Sequence, residues 1–452
     1  MKISAHLKAG CLFLADKVLV VGVKTVNALF GGRPRPDREG RKRLLLYCPN
    51  TGGHRLSYAA RLLPFYLDAG YEVFFAYKGP RFYEAGRKSF LEQDPALLEA
   101  FARTEGVHPV PLQDDLGTWR SELATIVKLQ REHEISLTVF VDGDELTRSF
   151  LCQLLPGTPR LLGTNYAVII CSEFFYLGDL PWRTFLAPEY RRYLQHGLFI
   201  KYVFRYADVL DGAFYADENV IEDLQCPKLI HVPELGHSDV AGPESPEGLR
   251  QKEAVAGPYR DFLNAHSGRQ IILAFGDLEP RKGFEMLLRL CAEHDDLALV
   301  RVGRTKPNYQ TEWDTISLKE QLALEGRIFE HDAYVTSQEL IDSLFDSVDY
   351  VLMPYVDFYR TSSIMIQALS YGKPVLVPDV GLMYERVRGH RLGLWFEHKN
   401  YESFAENFSE LRESFATFRP DVERYYRTFY SDEALRSGLR ASLQGRVERQ
   451  GD

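Results

Sequence analysis

Three hydroxyl residues in a row, Thr361-Ser362-Ser363, stand directly before Ile364, Ile366, Ala368 and Leu369. That spacing predicts a helix with a buried side, and Gly372 stops it. Val375-Leu376-Val377 follows between Pro374 and Pro378 and reads as a short buried strand. A helix that opens with hydroxyls offers unsatisfied backbone N–H groups and the positive end of its dipole, which suits a phosphate. The strand packs that helix on a sheet and fixes its mouth. Upstream, Arg281-Lys282-Gly283 comes shortly after the apolar run 271–275. Two cations placed one turn after a central strand can neutralise a diphosphate leaving group. They do the work a metal would otherwise do, and no Cys or His spacing of the metal-ligand type occurs.

The first half of the chain carries a different set. The apolar run 44–48 ends in Pro49-Asn50-Thr51-Gly52-Gly53-His54. Gly52 and Gly53 let a turn approach a ligand closely. His54, at a helix start, is placed for proton transfer or donor contact, or equally for capping and packing. Run 137–141 ends in Asp142-Gly143-Asp144. A carboxylate there could act as general base or orient a sugar, or simply cap the helix beginning near Glu145. Glu173, in Cys171-Ser172-Glu173-Phe174-Phe175-Tyr176, is a further strand-end acid. The aromatics beside it, with Trp182, fit a core or a sugar-stacking wall.

These residues need scaffolds to hold them. The β-turn-α-β unit from 44 to 77 calls for a parallel sheet, continued by strands at 137–141, 167–171, 209–215 and 228–232 and by helices at 119–133 and 187–206. A second cycle starts at 271–275 and runs through strands at 297–302, 328–330, 350–353 and 375–377. Two Rossmann-like α/β domains facing across a cleft are therefore expected, with ligands at the carboxyl ends of their strands. The expected boundaries are 1–40 for an amphipathic helix and basic linker, 41–236 for the first domain, 237–425 for the second, and 426–452 for a last helix that could return to the first. Residues 236–268 read as the connection.

At 452 residues the chain is too long for one ordinary core, and its 45% apolar and 13% aromatic content is globular. A net charge of -9 argues against a general nucleic-acid binder. Six scattered cysteines without a CxxC fit buried thiols in a reducing cytoplasm. Residues 11–30 are apolar on one helical face (Leu14, Val18, Leu19, Val21, Val26) and polar on the other (Asp16, Lys17, Lys24, Asn27). Arg33, Arg35, Arg38, Arg41, Lys42 and Arg43 follow. An anionic membrane surface engaged through residues 11–43 is one reading. Docking on the protein's own body or in an oligomer is the other.

The second cycle resembles the donor domain of GT-B fold glycosyltransferases, close to glycosyltransferase family 4. The resemblance rests on FGDLEPRKGFEMLL at 275–288, LVRVG at 299–303, and the stretch from VDYVLMPY at 348–355 to Glu385, segments spanning residues 275–385. It implies Lys282 as the diphosphate lysine, aided by Arg281, Thr361, Ser362 and Ser363. It implies Gln367, Gly303 and Glu385 on the nucleotide and ribose, and Gly52 and Gly53 on the acceptor side, where Glu173 is a further cleft candidate from its strand-end position. Asp142, Asp144 and His54 are the candidate catalytic groups. The chain departs from the family at three points. Asp277 replaces an arginine, and Tyr359 and Gln367 replace a pair of glutamates. An amide oxygen can still accept from a ribose hydroxyl.

The expected activity is that of a glycosyltransferase, metal-independent and without cofactor, retaining or inverting. It would move a sugar from a nucleotide-diphosphate donor to a glycan or lipid-linked acceptor on the cytoplasmic face of a membrane, without nucleic-acid partners. The missing glutamates leave open a non-catalytic GT-B subunit of a glycan-building complex. A sugar-nucleotide epimerase shares the architecture.

Overall fold

The computed structural model describes residues 17, 19–28, 42–49, 54–78, 103–112, 118–170, 172–176, 188–234, 246–306, 309, 313–335 and 337–448. Gly52, Gly53, Cys11, Cys171, Trp182, the His54 side chain and most of the basic linker lie outside them. Contacts divide the chain into a unit of Met1–Pro233 with Leu435–Asp452 and a unit of Glu234–Ala434.

In the first unit seven strands form one parallel sheet. They are β1 (Arg43–Cys48), β2 (Glu72–Lys78), β3 (Val107–Leu112), β4 (Leu137–Phe140), β5 (Thr164–Ile169), β6 (Gly212–Tyr215) and β7 (Leu229–His231). The order β3-β2-β1-β4-β5-β6-β7 reverses direction between β1 and β4. Strands covered by helices on both faces need apolar residues at nearly every position, and Leu44, Leu45, Leu46 and Tyr47 are all wholly buried. The closing helix Asp432–Glu448 packs on this unit, where the Tyr166 hydroxyl donates to the Ser442 carbonyl at 3.0 Å.

The second unit repeats the plan with six parallel strands in the order β10-β9-β8-β11-β12-β13. They are β8 (Gln270–Phe275), β9 (Leu297–Val302), β10 (Ile328–His331), β11 (Tyr350–Leu352), β12 (Val375–Pro378) and β13 (Gly393–Phe396). Its reversal falls between β8 and β11. Both sheets thus open a crevice at the carboxyl ends of two central strands, where neighbouring connections leave in opposite directions.

Several sequence expectations change. Strand 209–215 begins only at Gly212, because Val209 and Leu210 are buried in the turn before it. The 167–171 strand is shifted to Thr164–Ile169. The stretch 236–268 contains the helix Pro246–Ala265, whose Val255 and Tyr259 bury against the second core. β3 and β13 were not anticipated. The end of the stretch that carries the resemblance, Gly381–Glu385, opens a helix, Gly381–His390.

Residues 19–28 are helical and touch the first unit through both kinds of residue, Val23 packing against its core and Lys24 and Asn27 meeting Tyr206 and Asp208. Asn27 donates to Asp208 Oδ2 at 3.3 Å and accepts from the Asp208 N–H at 3.1 Å. Lys24 lies 5.1 Å from the centre of the Tyr206 ring. Among the described residues no helix is long and apolar enough to cross a membrane.

Candidate functional site

Two glycines shape the crevice of the second unit. β8 runs into a single 3-10 turn, Pro280–Lys282, which Gly283 ends at φ +59°. A Cβ on Gly283 would stand 1.9 Å from the Pro354 carbonyl oxygen, so only glycine lets this turn lie against the loop after β11. The Val356 N–H donates to the Arg281 carbonyl at 2.8 Å and ties the same two loops. A Cβ on Gly303 would stand 2.2 Å from the Gly276 carbonyl oxygen, which brings the β9 end equally close to the β8 end.

Lys282 is thereby carried to the crevice. Its ammonium donates to the Tyr355 hydroxyl at 2.7 Å and lies 4.5 Å from the centre of that ring. The Tyr355 hydroxyl is 3.5 Å from Ser362 Oγ. Ser362 is the N-cap residue of the helix Ser363–Ser370, yet its side chain makes no capping hydrogen bond. Simple capping therefore does not account for this serine. A small pocket lined by Gly276, Lys282, Arg301, Tyr355 and Ile364 sits at the same place.

The other donor-side candidates are engaged differently. Arg281 turns its guanidinium to Glu279 at 2.8 Å and lies 4.8 Å from the centre of the Phe358 ring. Thr361 Oγ1 accepts from the fully buried Arg386 at 2.6 Å. Gln367 is wholly buried inside its helix. Glu385 is half-buried and ion-paired with Arg388 at 2.7 Å. Asp277, which stands in place of an arginine, binds Lys306 at 2.7 Å and Arg304 at 3.2 Å. Burial pushes the Asp277 carboxyl up, but hydrogen bonds from Lys306 and Arg304 outweigh it and hold it below the usual carboxylate value. Tyr355 thus links Lys282 to Ser362, next to Ser363 at the helix start. Arg281 and Thr361 are adjacent in sequence to Lys282 and Ser362.

In the first unit, Asp142 occupies the crevice between β1 and β4. It caps the helix Gly143–Cys152, with Oδ1 accepting from the Glu145 N–H at 3.4 Å, and Oδ2 accepts from Arg55 Nε. Burial pushes its carboxyl up to about 6, against the pull of Arg55 and with the repulsion of Asp144 and Glu145 added. Asp144 is buried too: Oδ2 accepts from the Ile170 N–H at 3.0 Å and Oδ1 faces His196 Nδ1 at 3.3 Å. Glu173 is buried at the start of a one-turn helix, Glu173–Tyr176. Among the described residues no group of three or more His, Cys, Asp or Glu side chains could hold a metal ion. Cys48, Cys152, Cys226 and Cys291 are buried thiols.

Four residues have no role assigned from the sequence alone: Tyr355, Arg386, Arg55 and His196. Tyr355 carried one faint signal, its position at the carboxyl end of β11 after Pro354. Arg386 and His196 lie in ordinary helical stretches and acquire partners only through the fold.

Residues 269–414 match the family described as Glycosyl transferases group 1. No curated protein matches the chain by sequence. Among solved structures, the chain is similar to sucrose-phosphate synthase from Thermosynechococcus elongatus, at 14% identity and TM-score 0.56, covering 91% of this chain and 99% of that one. It is similar to Anabaena HepE in complex with UDP, at 14% identity and TM-score 0.56, covering 89% and 100%. It is also similar to WaaG, a glycosyltransferase involved in lipopolysaccharide biosynthesis, at 15% identity and TM-score 0.50, covering 89% and 98%. At such identities the likeness is one of fold, and that fold is GT-B.

Proposed function

We propose that this GT-B chain, whose residues 269–414 match the group 1 glycosyl transferases, moves a sugar from a nucleotide-diphosphate donor to an acceptor hydroxyl. The observation that carries the reading is the placement of Lys282 beside Ser362, at the start of the helix Ser363–Ser370, in the crevice between β8 and β11. An ammonium and a helix amino end converge there on one small pocket, and both favour the charge that builds on a departing diphosphate. In the reaction the bond from the anomeric carbon to the diphosphate oxygen breaks, a bond to the acceptor oxygen forms, and the acceptor proton leaves. Asp142 and Asp144 are the candidate bases in the first unit. We take a UDP-sugar as the first donor to test, since the HepE structures are complexes with UDP and UDP-glucose. With Lys282 and Arg281 as counter-charges the reaction is expected to persist in chelator. The acceptor we propose is a glycan or lipid-linked precursor at a membrane face, and the outward Leu19 and Val21 support that location.

Calorimetry tests the donor site. UDP should bind the intact chain, and Lys282→Ala should weaken it by about ten- to a hundredfold, the loss of one charge-assisted hydrogen bond. Unchanged binding would remove Lys282 from the site.

A second reading, a donor-binding GT-B subunit without catalysis, is favoured by one observation. Tyr359 and the wholly buried Gln367 stand where the resemblance puts carboxylates. Donor hydrolysis or transfer by the pure protein, lost in a crevice variant, would eliminate it.

A further inference from the structure

The cations around the second crevice are not equivalent. Arg281 is paired with Glu279, and Arg304 and Lys306 both bind Asp277. Lys282 instead donates to a neutral hydroxyl. A neutral partner fixes an ammonium without cancelling its charge, so Lys282 keeps its full attraction for an anion.

The partner is itself well held. Tyr355 is only 4% exposed, so its ring is fixed by the core while its edge reaches the crevice. The ring face lies under the Lys282 ammonium, which adds a cation–π contact to the hydrogen bond. Because its oxygen accepts from Lys282, the phenol directs its own hydrogen elsewhere. The nearest oxygen is Ser362 Oγ at 3.5 Å, the far limit of a hydrogen bond. That loose contact leaves a place for a better acceptor between Tyr355 and the helix start.

We propose that Tyr355 is a diphosphate-binding residue of this site, donating its phenolic hydrogen to a phosphate oxygen while its ring and oxygen position Lys282. This rests on the donor reading above. It assigns the tyrosine two effects from one geometry: an added donor, and a lysine whose rotamer is set before the ligand arrives.

The experiment is calorimetry on the full chain with UDP and, separately, uridine. Tyr355→Phe keeps the ring and removes only the hydroxyl, and its melt is recorded alongside. It should weaken UDP by about five- to tenfold and leave uridine unchanged. In a Lys282→Met background the same step should cost less, about two- to threefold, because the positioning of the ammonium is gone while the direct hydrogen bond to phosphate remains. Full UDP affinity in Tyr355→Phe, with Lys282→Ala still impaired, would overturn the inference and leave the donor site standing. Equal losses of UDP and uridine would show that Tyr355 only shapes the pocket, and would also overturn it. Failure of the unaltered chain to bind UDP, GDP or ADP would remove the donor reading, and the inference with it.

Discussion

Arg386 Nη1 donates to Thr361 Oγ1 at 2.6 Å, and the same guanidinium reaches Glu234 Oε2 at 3.6 Å. Arg386 is wholly buried, and the ring of Tyr430 lies 5.7 Å away. A buried arginine therefore holds Thr361, the residue before the N-cap of the helix Ser363–Ser370, and pairs with Glu234. Removing one partner of a buried ion pair strands the other charge. Arg386→Met should accordingly destabilise the fold by about 3 kcal/mol, whereas Thr361→Ala should cost about 1 kcal/mol. Denaturant titrations of the two variants measure this. Equal small losses would mean that the arginine does not organise the loop.

Ser362 and Ser337 stand at equivalent places on two helices and do different things. Ser337 Oγ accepts from the Leu340 N–H at 3.1 Å, whereas Ser362 makes no side-chain capping bond. Loss of a true cap costs about 1 kcal/mol. Ser337→Ala should show that cost with nucleotide binding intact. Ser362→Ala should leave the melting temperature nearly unchanged and weaken nucleotide binding. The opposite pattern would return Ser362 to a capping role.

How much of the fold and the site was legible in the chain depends on how far apart the cooperating residues lie. The two α/β cycles, the Lys282 turn and the start of the Ser363–Ser370 helix follow from local apolar runs and glycines. β3 was hidden because Pro109 and Pro111 argue against a strand; it survives at the sheet edge, where a missing N–H costs little. β13 is only four residues long and opens with Gly393, so its apolar run Leu394-Trp395-Phe396 is too short to mark a strand. Pairs such as Asp144 with His196 and Arg55 with Asp142 join residues tens of positions apart. No periodicity encodes them. Asp277 is instructive in the same way. Read alone it is a lost arginine, but in the fold it is the anchor for Arg304 and Lys306.

Asp142 and Asp277 give stability opposite dependences on pH. Burial lifts the Asp142 carboxyl from 3.8 to about 6, so the folded chain holds that proton more tightly than the unfolded one. Its contribution is fully present below pH 3.8 and is lost as pH rises to about 6, by at most about 3 kcal/mol. Asp277 is held low, so its contribution is present above pH 3.8 and is lost as pH falls below that value. Chemical denaturation across pH should show Asp142→Asn flattening the decline between pH 4 and 6, a window set by the folded value of about 6. Asp277→Asn should flatten the acid limb. An unaltered slope in either variant would assign that limb to other groups.

The amino-terminal helix packs Val23 against the first core but leaves two of its aliphatic residues in solvent. Leu19 is 43% exposed and Val21 is 63% exposed, while Lys24 and Asn27 are turned onto Tyr206 and Asp208. Packing on the helix's own protein therefore accounts for Val23 but not for Leu19 and Val21. Arg205 shares the Tyr206 ring with Lys24, at 5.4 Å from its centre, so positive charge sits beside the outward aliphatic residues. Charge and apolar surface side by side match an anionic bilayer. Flotation with phosphatidylglycerol vesicles should carry the protein upward, less so in high salt and hardly at all with phosphatidylcholine. The Leu19→Glu, Val21→Glu double variant withdraws about 1–2 kcal/mol of burial per side chain and adds repulsion, so its partitioning should fall at least tenfold. Thermal stability should be unaffected, because neither side chain packs in the core. Undiminished flotation of the double variant would exclude this helix as the membrane contact.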